Sequence, residues 1–120
     1  MAKRVVVIDD EVDFANLLKI QLEKKKFLVF VANSGAEGLE LVKKEMPDIV
    51  LLDIMMPKMS GWQVCSKIKS DSKTKDIPVL FLTARTDDIS RSMGLKGADG
   101  YIEKPFDPII LIKKINELIK

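Results

Sequence analysis

The sequence predicts an α/β domain in which helices cover both faces of a parallel β-sheet. Short runs rich in Val, Ile and Leu alternate with longer amphipathic stretches along the 120 residues. Apolar runs of this kind are typical of strands that are buried on both faces. Strands that alternate with helices are typical of a parallel sheet, because parallel neighbours need a crossover connection.

Five runs have the length and composition of strands. Each is short, apolar and rich in strand-forming residues. The third run is unusual, because four apolar residues lead directly into the ionisable side chain of Asp53. The predicted strands are Arg4–Ile8, Leu28–Ala32, Ile49–Asp53, Val79–Leu82 and Gly100–Ile102.

The first helix is predicted from the spacing of its apolar residues. Phe14, Leu18 and Leu22 recur at intervals of four residues, which places them on one face of a helix. Ala15 and Leu17 flank this stripe. The stretch between the first and second strands is therefore predicted to be helical.

Boundary residues mark the other helices. Ser34 suits the N-cap of the second helix, and Pro47 stops it. Asp107 suits the N-cap of the fifth helix, and Pro108 its first position. The predicted ranges are 35–45, about 61–69 and about 87–95 for the second to fourth helices, and the fifth begins at 108.

Composition indicates one globular domain spanning residues 1–120. With 47% hydrophobic and 32% charged residues, the chain has enough apolar surface to form a core, and its net charge of +2 is too small to indicate nucleic-acid or membrane binding. The single Cys65 excludes an internal disulfide and suits a reducing, cytoplasmic location. The apolar run Val5–Ile8 is too short for a signal peptide, and no stretch is long enough to span a membrane. The absence of histidine excludes His-based metal sites and His-based nucleophilic chemistry.

Polar residues follow four of the five predicted strands. Asp9 and Asp10 follow the first strand, Asp53 ends the third, Thr83 follows the fourth and Lys104 follows the fifth. Sites in parallel α/β sheets form beyond the carboxyl ends of the strands, so these side chains are expected to converge. Clustered carboxylates repel one another unless a cation joins them, and oxygen ligands suit a hard ion such as Mg²⁺. The hydroxyl and the ammonium would form an opposite wall, and a tetrahedral anion would fit between the two.

Each of these residues, taken alone, also has a purely structural interpretation. Asp9 and Asp10 precede a helix and suit a cap that favours the positive end of the helix dipole. Asp53 suits a turn at the end of a strand, and Thr83 and Lys104 are ordinary residues at such positions. Their convergence at one sheet edge is what favours a functional site.

Four segments together resemble the receiver domain of two-component response regulators. This resemblance covers nearly the whole chain and implies a flavodoxin-like fold, with a five-stranded parallel sheet in the order 2-1-3-4-5. The segments are VVVIDDE (5–11), IVLLDIMMPKMSG (49–61), PVLFLTAR (78–85) and GADGYIEKPF (97–106).

The resemblance implies a phosphoacceptor role for Asp53. This residue would take a phosphoryl group from a phosphohistidine on a sensor histidine kinase or a histidine phosphotransfer protein. Asp9, Asp10, Asp53 and the backbone carbonyl of Met55 would hold Mg²⁺, with Mn²⁺ as a possible substitute. The chain would then be a signalling switch, not an enzyme with an external substrate.

The resemblance also assigns residues to signal transmission. Lys104 would contact the phosphoryl oxygens and precede a cis bond to Pro105. Thr83, the amide of Ala84 and the aromatic ring of Tyr101 would form the switch. The surface that docks the kinase or phosphotransfer protein would comprise Phe14, Leu17, Pro105 and Phe106.

Departures from the family pattern lead to further expectations. Met55 and Arg85 occupy the positions that tune dephosphorylation, and neither suits the positioning of an attacking water, so we expect a phosphoryl lifetime that is not especially short. Asp99 is followed by Gly100, and Ile110 stands where the winged-helix transcription-factor branch has a Glu. These residues weaken the case for the salt-bridged dimer of that branch. The expected state is a monomer or a phosphorylation-dependent homodimer with an unidentified downstream target.

Three alternatives are open at this point. The first is a receiver cut from a longer regulator or hybrid kinase. An aspartyl-phosphate phosphatase is a second alternative, although Met55 stands where that chemistry needs a general acid. A flavodoxin-like cofactor binder is the third, although the segment DDEVD (9–13) is anionic where a phosphate-binding loop is needed.

Overall fold

A computed structural model describes residues 2–83 and 97–119. The predicted fourth helix, residues 87–95, lies outside this part of the chain. The strands are β1 (Arg4–Ile8), β2 (Leu28–Ala32), β3 (Ile49–Asp53), β4 (Val79–Thr83) and β5 (Gly100–Glu103). The helices are α1 (Val12–Glu23), α2 (Gly35–Glu45), α3 (Gly61–Ser70) and the C-terminal helix α4 (Pro108–Ile119).

The five strands form one parallel sheet in the order β2-β1-β3-β4-β5. This order confirms the predicted topology. The strand order reverses between β1 and β3, where Ile8 pairs with Leu52. Asp53, the next residue of β3, pairs with Leu82 of β4. The carboxyl ends of β1, β3 and β4 therefore meet at one edge of the sheet, beside the point where a crevice opens in folds of this type.

The sheet separates two apolar layers, because successive residues of a strand point to opposite faces. One layer joins Val6, Ile8 and Leu52 to buried residues of α2 and α3. The other layer joins Val7 and Leu51 to buried residues of α1 and the C-terminal helix. Helices thus cover both faces, as the alternation of elements predicts. None of the described helices is long and apolar enough to cross a membrane.

Local signals start the helices where the sequence indicates. The hydroxyl of Ser34 accepts a hydrogen bond from the backbone N–H of Glu37 at the start of α2. Ser60 and Gln63 form a reciprocal capping box at the start of α3. The carboxylate of Asp107 accepts a bond from the backbone N–H of Ile109 at 2.9 Å, which confirms the predicted cap of the C-terminal helix.

The ends of two strands differ from the sequence-based expectation. β4 and β5 each extend by one residue, because Thr83 pairs with Glu103 across the parallel ladder. Leu17 flanks the buried stripe of α1 as expected, and 53% of the residue is exposed because α1 turns this position away from the sheet. On the C-terminal helix, Leu111 is wholly buried, whereas Ile109, two residues earlier, is exposed.

Candidate functional site

Asp9, Asp10 and Asp53 lie together at the carboxyl edge of the sheet. Asp9 is wholly buried, and Asp53 is 6% exposed at the end of a strand whose residues are all buried. One carboxylate oxygen from each of the three lies within 4.8 Å of the others. The structure therefore brings together the three acidic side chains that the sequence selected.

Backbone and side-chain bonds hold Asp9 in a fixed orientation. Its backbone N–H donates to the carbonyl of Ala32 at 3.0 Å, and Asn33 Nδ2 donates to the carbonyl of Asp9 at 2.9 Å. Its Oδ1 accepts a bond from the backbone N–H of Glu11 at 2.9 Å, next to the start of α1. Asp9 therefore stabilises the turn into α1 and belongs to the acidic cluster at the same time, so the structural and functional interpretations are compatible.

Lys104 supplies a cation to the acidic cluster. Its Nζ donates to Asp9 Oδ2 at 2.9 Å, and lies 3.5 Å from Glu11 Oε1 and 3.6 Å from Asp53 Oδ1. The Lys104–Pro105 peptide bond is cis, as the resemblance predicts. The side chain of Lys104 is only 11% exposed, so these charges interact with little screening by water.

Burial and neighbouring charge alter the ionisation of Asp53 and Lys104. The pKa of Asp53 is raised from 3.8 to about 7, mainly by burial and next by the Asp9 carboxylate; Asp10 adds to the rise, and Lys104 opposes it. Burial lowers the pKa of Lys104, but its hydrogen bond to Asp9 and the nearby carboxylates outweigh that effect and raise it above 10.5. The ionised form of Asp53 is therefore disfavoured even with the Lys104 ammonium beside it.

This donor set fits a hard divalent cation. Three carboxylates offer oxygen ligands from one small volume, and the ammonium of Lys104 offsets only part of their charge. Oxygen ligands with room for bound water are what Mg²⁺ prefers. Met55 lies two residues after Asp53 with 55% of the residue exposed, and the role predicted for it involves its backbone carbonyl.

The predicted switch residues occupy two neighbouring strands. Thr83 is the last residue of β4, and Tyr101 lies on β5 opposite Phe81. The ring of Tyr101 is half-buried against the apolar layer under α2 and α3. The third predicted switch residue, Ala84, lies outside the described residues, as does Arg85.

The predicted docking residues lie on two neighbouring segments, α1 and the segment after β5. The rings of Phe14 and Phe106 make an edge-to-face contact, with centroids 6.0 Å apart and planes at 80°. Pro105 directly precedes Phe106, and Leu17 presents an exposed side chain on α1. Phe14, Pro105 and Phe106 therefore lie close to Lys104, beside the acidic cluster.

Residues 5–116 match the family model of the response regulator receiver domain. The chain belongs to this family. It is 41% identical over 119 residues to the probable transcriptional regulator ycf27 of Guillardia theta. That alignment covers 98% of this chain and 46% of the relative, so the chain spans less than half the length of that curated protein. Receiver domains are signalling switches.

Solved structures of receivers share the fold. The chemotaxis protein CheY4 of Vibrio cholerae is 27% identical, with a TM-score of 0.92 over 98% of this chain and 99% of that one. A response regulator receiver domain protein from Clostridium thermocellum is 33% identical, with a TM-score of 0.89 over 99% of this chain and 94% of that one. A putative response regulator from Chloroflexus aurantiacus is 28% identical, with a TM-score of 0.94 and coverage of 99% and 98%.

Two contacts of this receiver were missed by the sequence analysis. A Cβ atom added at Gly61 would lie 2.3 Å from the carbonyl oxygen of Asp53, and the Gly61 N–H donates to the carbonyl of Ile54 at 2.8 Å. The start of α3 thus packs directly on the backbone of the acidic strand end. In addition, the ammonium of Lys104 lies over the ring of Phe14. A glycine at a helix start was the available signal for the first contact, and no sequence pattern indicates the second.

Asp99 bears on the expected weakness of the salt-bridged dimer. Its Oδ2 accepts bonds from the backbone N–H of Val79 at 2.8 Å and from Lys69 Nζ at 2.9 Å. These contacts tie the residue before β5 to the start of β4 and to the end of α3. The Asp99 carboxylate is therefore already engaged within the receiver.

Proposed function

We propose that residues 1–120 form a single receiver domain that accepts a phosphoryl group on Asp53. The donor would be a phosphohistidine of a sensor histidine kinase or a histidine phosphotransfer protein. The observation that carries this proposal is the position of Asp53, which ends a buried strand with Asp9 and Asp10 on one side and the Lys104 ammonium 3.6 Å away.

The acidic cluster is the proposed magnesium site. Asp9, Asp10, Asp53 and the backbone carbonyl of Met55 would hold Mg²⁺, or Mn²⁺ in its place. When bound, the ion offsets the repulsion between the Asp53 carboxylate and the incoming anionic phosphoryl group. The grouping of three carboxylate oxygens within 4.8 Å supports this assignment.

Asp53 and Lys104 have complementary tasks in the transfer. An ionised oxygen of Asp53 attacks phosphorus in line, a new O–P bond forms, and the P–N bond to the donor imidazole breaks with its electron pair returning to nitrogen. The Lys104 ammonium then offsets charge on the phosphoryl oxygens. Its reach is supported by its present contacts with both Asp9 and Asp53.

The signal would leave the site through the end of β4 and through β5. The phosphoryl group adds charge and acceptor oxygens, which would draw in the hydroxyl of Thr83 and the amide of Ala84. The space left by Thr83 would admit the ring of Tyr101, so that the surface changes for partner binding. Because Met55 and Arg85 do not suit water activation, we expect a phosphoryl lifetime that is not especially short.

The proposed partners are a phosphodonor protein and a downstream target. The donor would dock on Phe14, Leu17, Pro105 and Phe106, in a protein that is monomeric or dimerises on phosphorylation. Direct binding of nucleic acid by residues 1–120 and attachment to a membrane are not expected, and a cytoplasmic location stays a prediction.

An alternative is that the chain serves as the receiver of a longer regulator or hybrid kinase. The length of the ycf27 relative, of which this chain covers 46%, favours that alternative.

Phosphorylation of Asp53 tests the proposal directly. The protein is incubated with acetyl phosphate and Mg²⁺. The phosphoryl group added to the protein is followed by intact mass and by Phos-tag electrophoresis. We expect one phosphoryl group on the wild type and on Asp76→Asn, which changes an exposed aspartate, and none on Asp53→Asn or in the presence of EDTA. Labelling of Asp53→Asn at the wild-type level would contradict the assignment. Continuous hydrolysis of a phosphomonoester would instead favour the phosphatase alternative.

A further inference from the structure

The ammonium of Lys104 has an aromatic neighbour in addition to its three carboxylates. Lys104 Nζ lies 4.2 Å from the centroid of the Phe14 ring, over its face. A cation at this distance is attracted by the negative electrostatic potential of the ring face. The side chain of Lys104 is 11% exposed, and such an attraction is stronger where water is excluded.

The Phe14 ring also packs against a second aromatic ring. Phe106 contacts it with centroids 6.0 Å apart and planes at 80°, which is a favourable edge-to-face arrangement. Phe106 follows Lys104 by two residues, so the segment that carries the ammonium also supports the ring that faces it. Phe14 stands on α1, which begins just after the acidic pair. The contact therefore joins α1 to the segment after β5 at the phosphoacceptor site.

The ring differs from the carboxylates in what it allows the ammonium to do. Asp9 Oδ2 accepts a directed hydrogen bond from Nζ at 2.9 Å, whereas Asp53 Oδ1 lies at 3.6 Å. To contact a phosphoryl group on Asp53, the ammonium must turn from Asp9 toward new oxygens. The attraction of a ring face is broad and directed to no single atom, so it can persist while the hydrogen-bond partner changes.

We propose that Phe14 is a positioning residue for Lys104, in addition to its proposed place on the docking surface. Its ring keeps the ammonium within reach of Asp53 before and during phosphoryl transfer. This inference rests on the proposed function, because it concerns the same site and reaction.

A small phosphodonor separates positioning from docking. Acetyl phosphate does not need a protein docking surface, so a residue that serves only in docking leaves its reaction unchanged. We expect Phe14→Leu to slow the phosphorylation of Asp53 by acetyl phosphate by about 2- to 30-fold, the range that corresponds to a typical cation–π attraction. Phe14→Tyr keeps the ring face and should restore a rate close to that of the wild type. Ile20→Ala changes another exposed apolar residue of α1 and should leave the rate unchanged.

Ring electronics provide the sharper readout. Site-specific incorporation of mono-, di- and trifluorinated phenylalanine at position 14 changes the shape of the ring little but weakens the negative potential of its face step by step. If the ring acts on the ammonium, the rate with acetyl phosphate falls in the same order. A role in packing alone predicts equal rates across the series, and this result would overturn the inference. The series also serves where Phe14→Leu fails to fold.

The outcomes distinguish this inference from the proposed function. If the wild type acquires a phosphoryl group on Asp53 and the fluorinated series is flat, only the role of Phe14 is overturned. If the wild type acquires none, or if Asp53→Asn is labelled equally, the proposed function fails and the inference fails with it. A graded series on a labelled Asp53 supports both.

Discussion

Lys104 donates a hydrogen bond to Asp9 at 2.9 Å, and this contact joins two residues that lie 95 positions apart in the chain. Asp9 is wholly buried, and the side chain of Lys104 is 11% exposed. Charges that are this far from water depend on each other, because removal of one partner leaves the other without compensation. The pair thus connects the end of β1 with the end of β5 and contributes to both the fold and the site.

Replacement of Lys104 by Met should destabilise the protein when divalent ions are removed with EDTA. The buried carboxylate of Asp9 then keeps its bond from Glu11 but loses its cation. We expect a loss of about 3 kcal/mol in the free energy of unfolding, measured with urea at pH 8.

A surface ion pair supplies the control for Lys104→Met. Lys19 pairs with Glu23 one turn along α1, where both side chains are exposed to water. Lys19→Met should therefore change the free energy of unfolding by less than about 0.5 kcal/mol. Equal losses in the two variants would show that the Lys104 pair behaves as an ordinary surface contact.

The raised pKa of Asp53 predicts that stability falls as pH rises. Because the folded protein holds the Asp53 proton up to about pH 7 while the unfolded chain releases it near 3.8, the stabilising contribution is complete below pH 3.8. It is lost as pH rises through about 7. At about 1.4 kcal/mol per pKa unit, the upper limit of the loss is about 4 kcal/mol. Urea unfolding in EDTA between pH 4 and 8 measures it.

Asp53→Asn isolates this contribution. The amide has nearly the shape of the carboxylic acid but does not ionise, so the variant should exceed the wild type in stability at pH 8 and approach it at pH 5. Parallel pH profiles for the two proteins would contradict the prediction. The comparison uses differences between variants, and the other titrating groups of the chain largely cancel.

The site residues follow from a rule of topology, and this explains why so much of the site was predictable. The short apolar runs located β1 and β3, and the carboxyl-end rule then selected Asp9, Asp10 and Asp53. Local signals were sufficient for α2 as well, since Ser34 caps it and Pro47 directly follows its C-cap residue, Met46.

Contacts between distant segments were not predictable in the same way. The ends of β4 and β5 depend on the pairing of Thr83 with Glu103, which is a property of the assembled sheet. The approach of Lys104 to Phe14 depends on how the segment after β5 passes α1. Spacing along the chain does not encode either arrangement, because both depend on tertiary packing.

Addition of Mg²⁺ should stabilise the protein through the acidic cluster. An ion that binds only the folded protein raises the free energy of unfolding by about 1.4 kcal/mol at ten times its dissociation constant. Thermal unfolding at pH 8 with increasing Mg²⁺ measures this effect. Asp10→Asn should reduce the response, because it removes one of the three clustered carboxylates. Asp13→Asn, a change on the exposed first turn of α1, should not reduce it. An unchanged response in Asp10→Asn would place the ion elsewhere.

Replacement of Gly61 by Ala should displace the backbone of the phosphoacceptor strand. The added Cβ would lie 2.3 Å from the carbonyl oxygen of Asp53 and 2.8 Å from Cα of Ile54, and backbone atoms cannot rotate out of the way. We expect a loss of about 1–3 kcal/mol in the free energy of unfolding, the usual effect of overpacking, together with slower phosphorylation of Asp53 by acetyl phosphate. Gly100→Ala is the matched control, because its Cβ would meet only side-chain atoms at 3.4 Å or more. A Gly61→Ala protein with the stability and phosphorylation rate of Gly100→Ala would show that α3 can move away from Asp53 without consequence for the site.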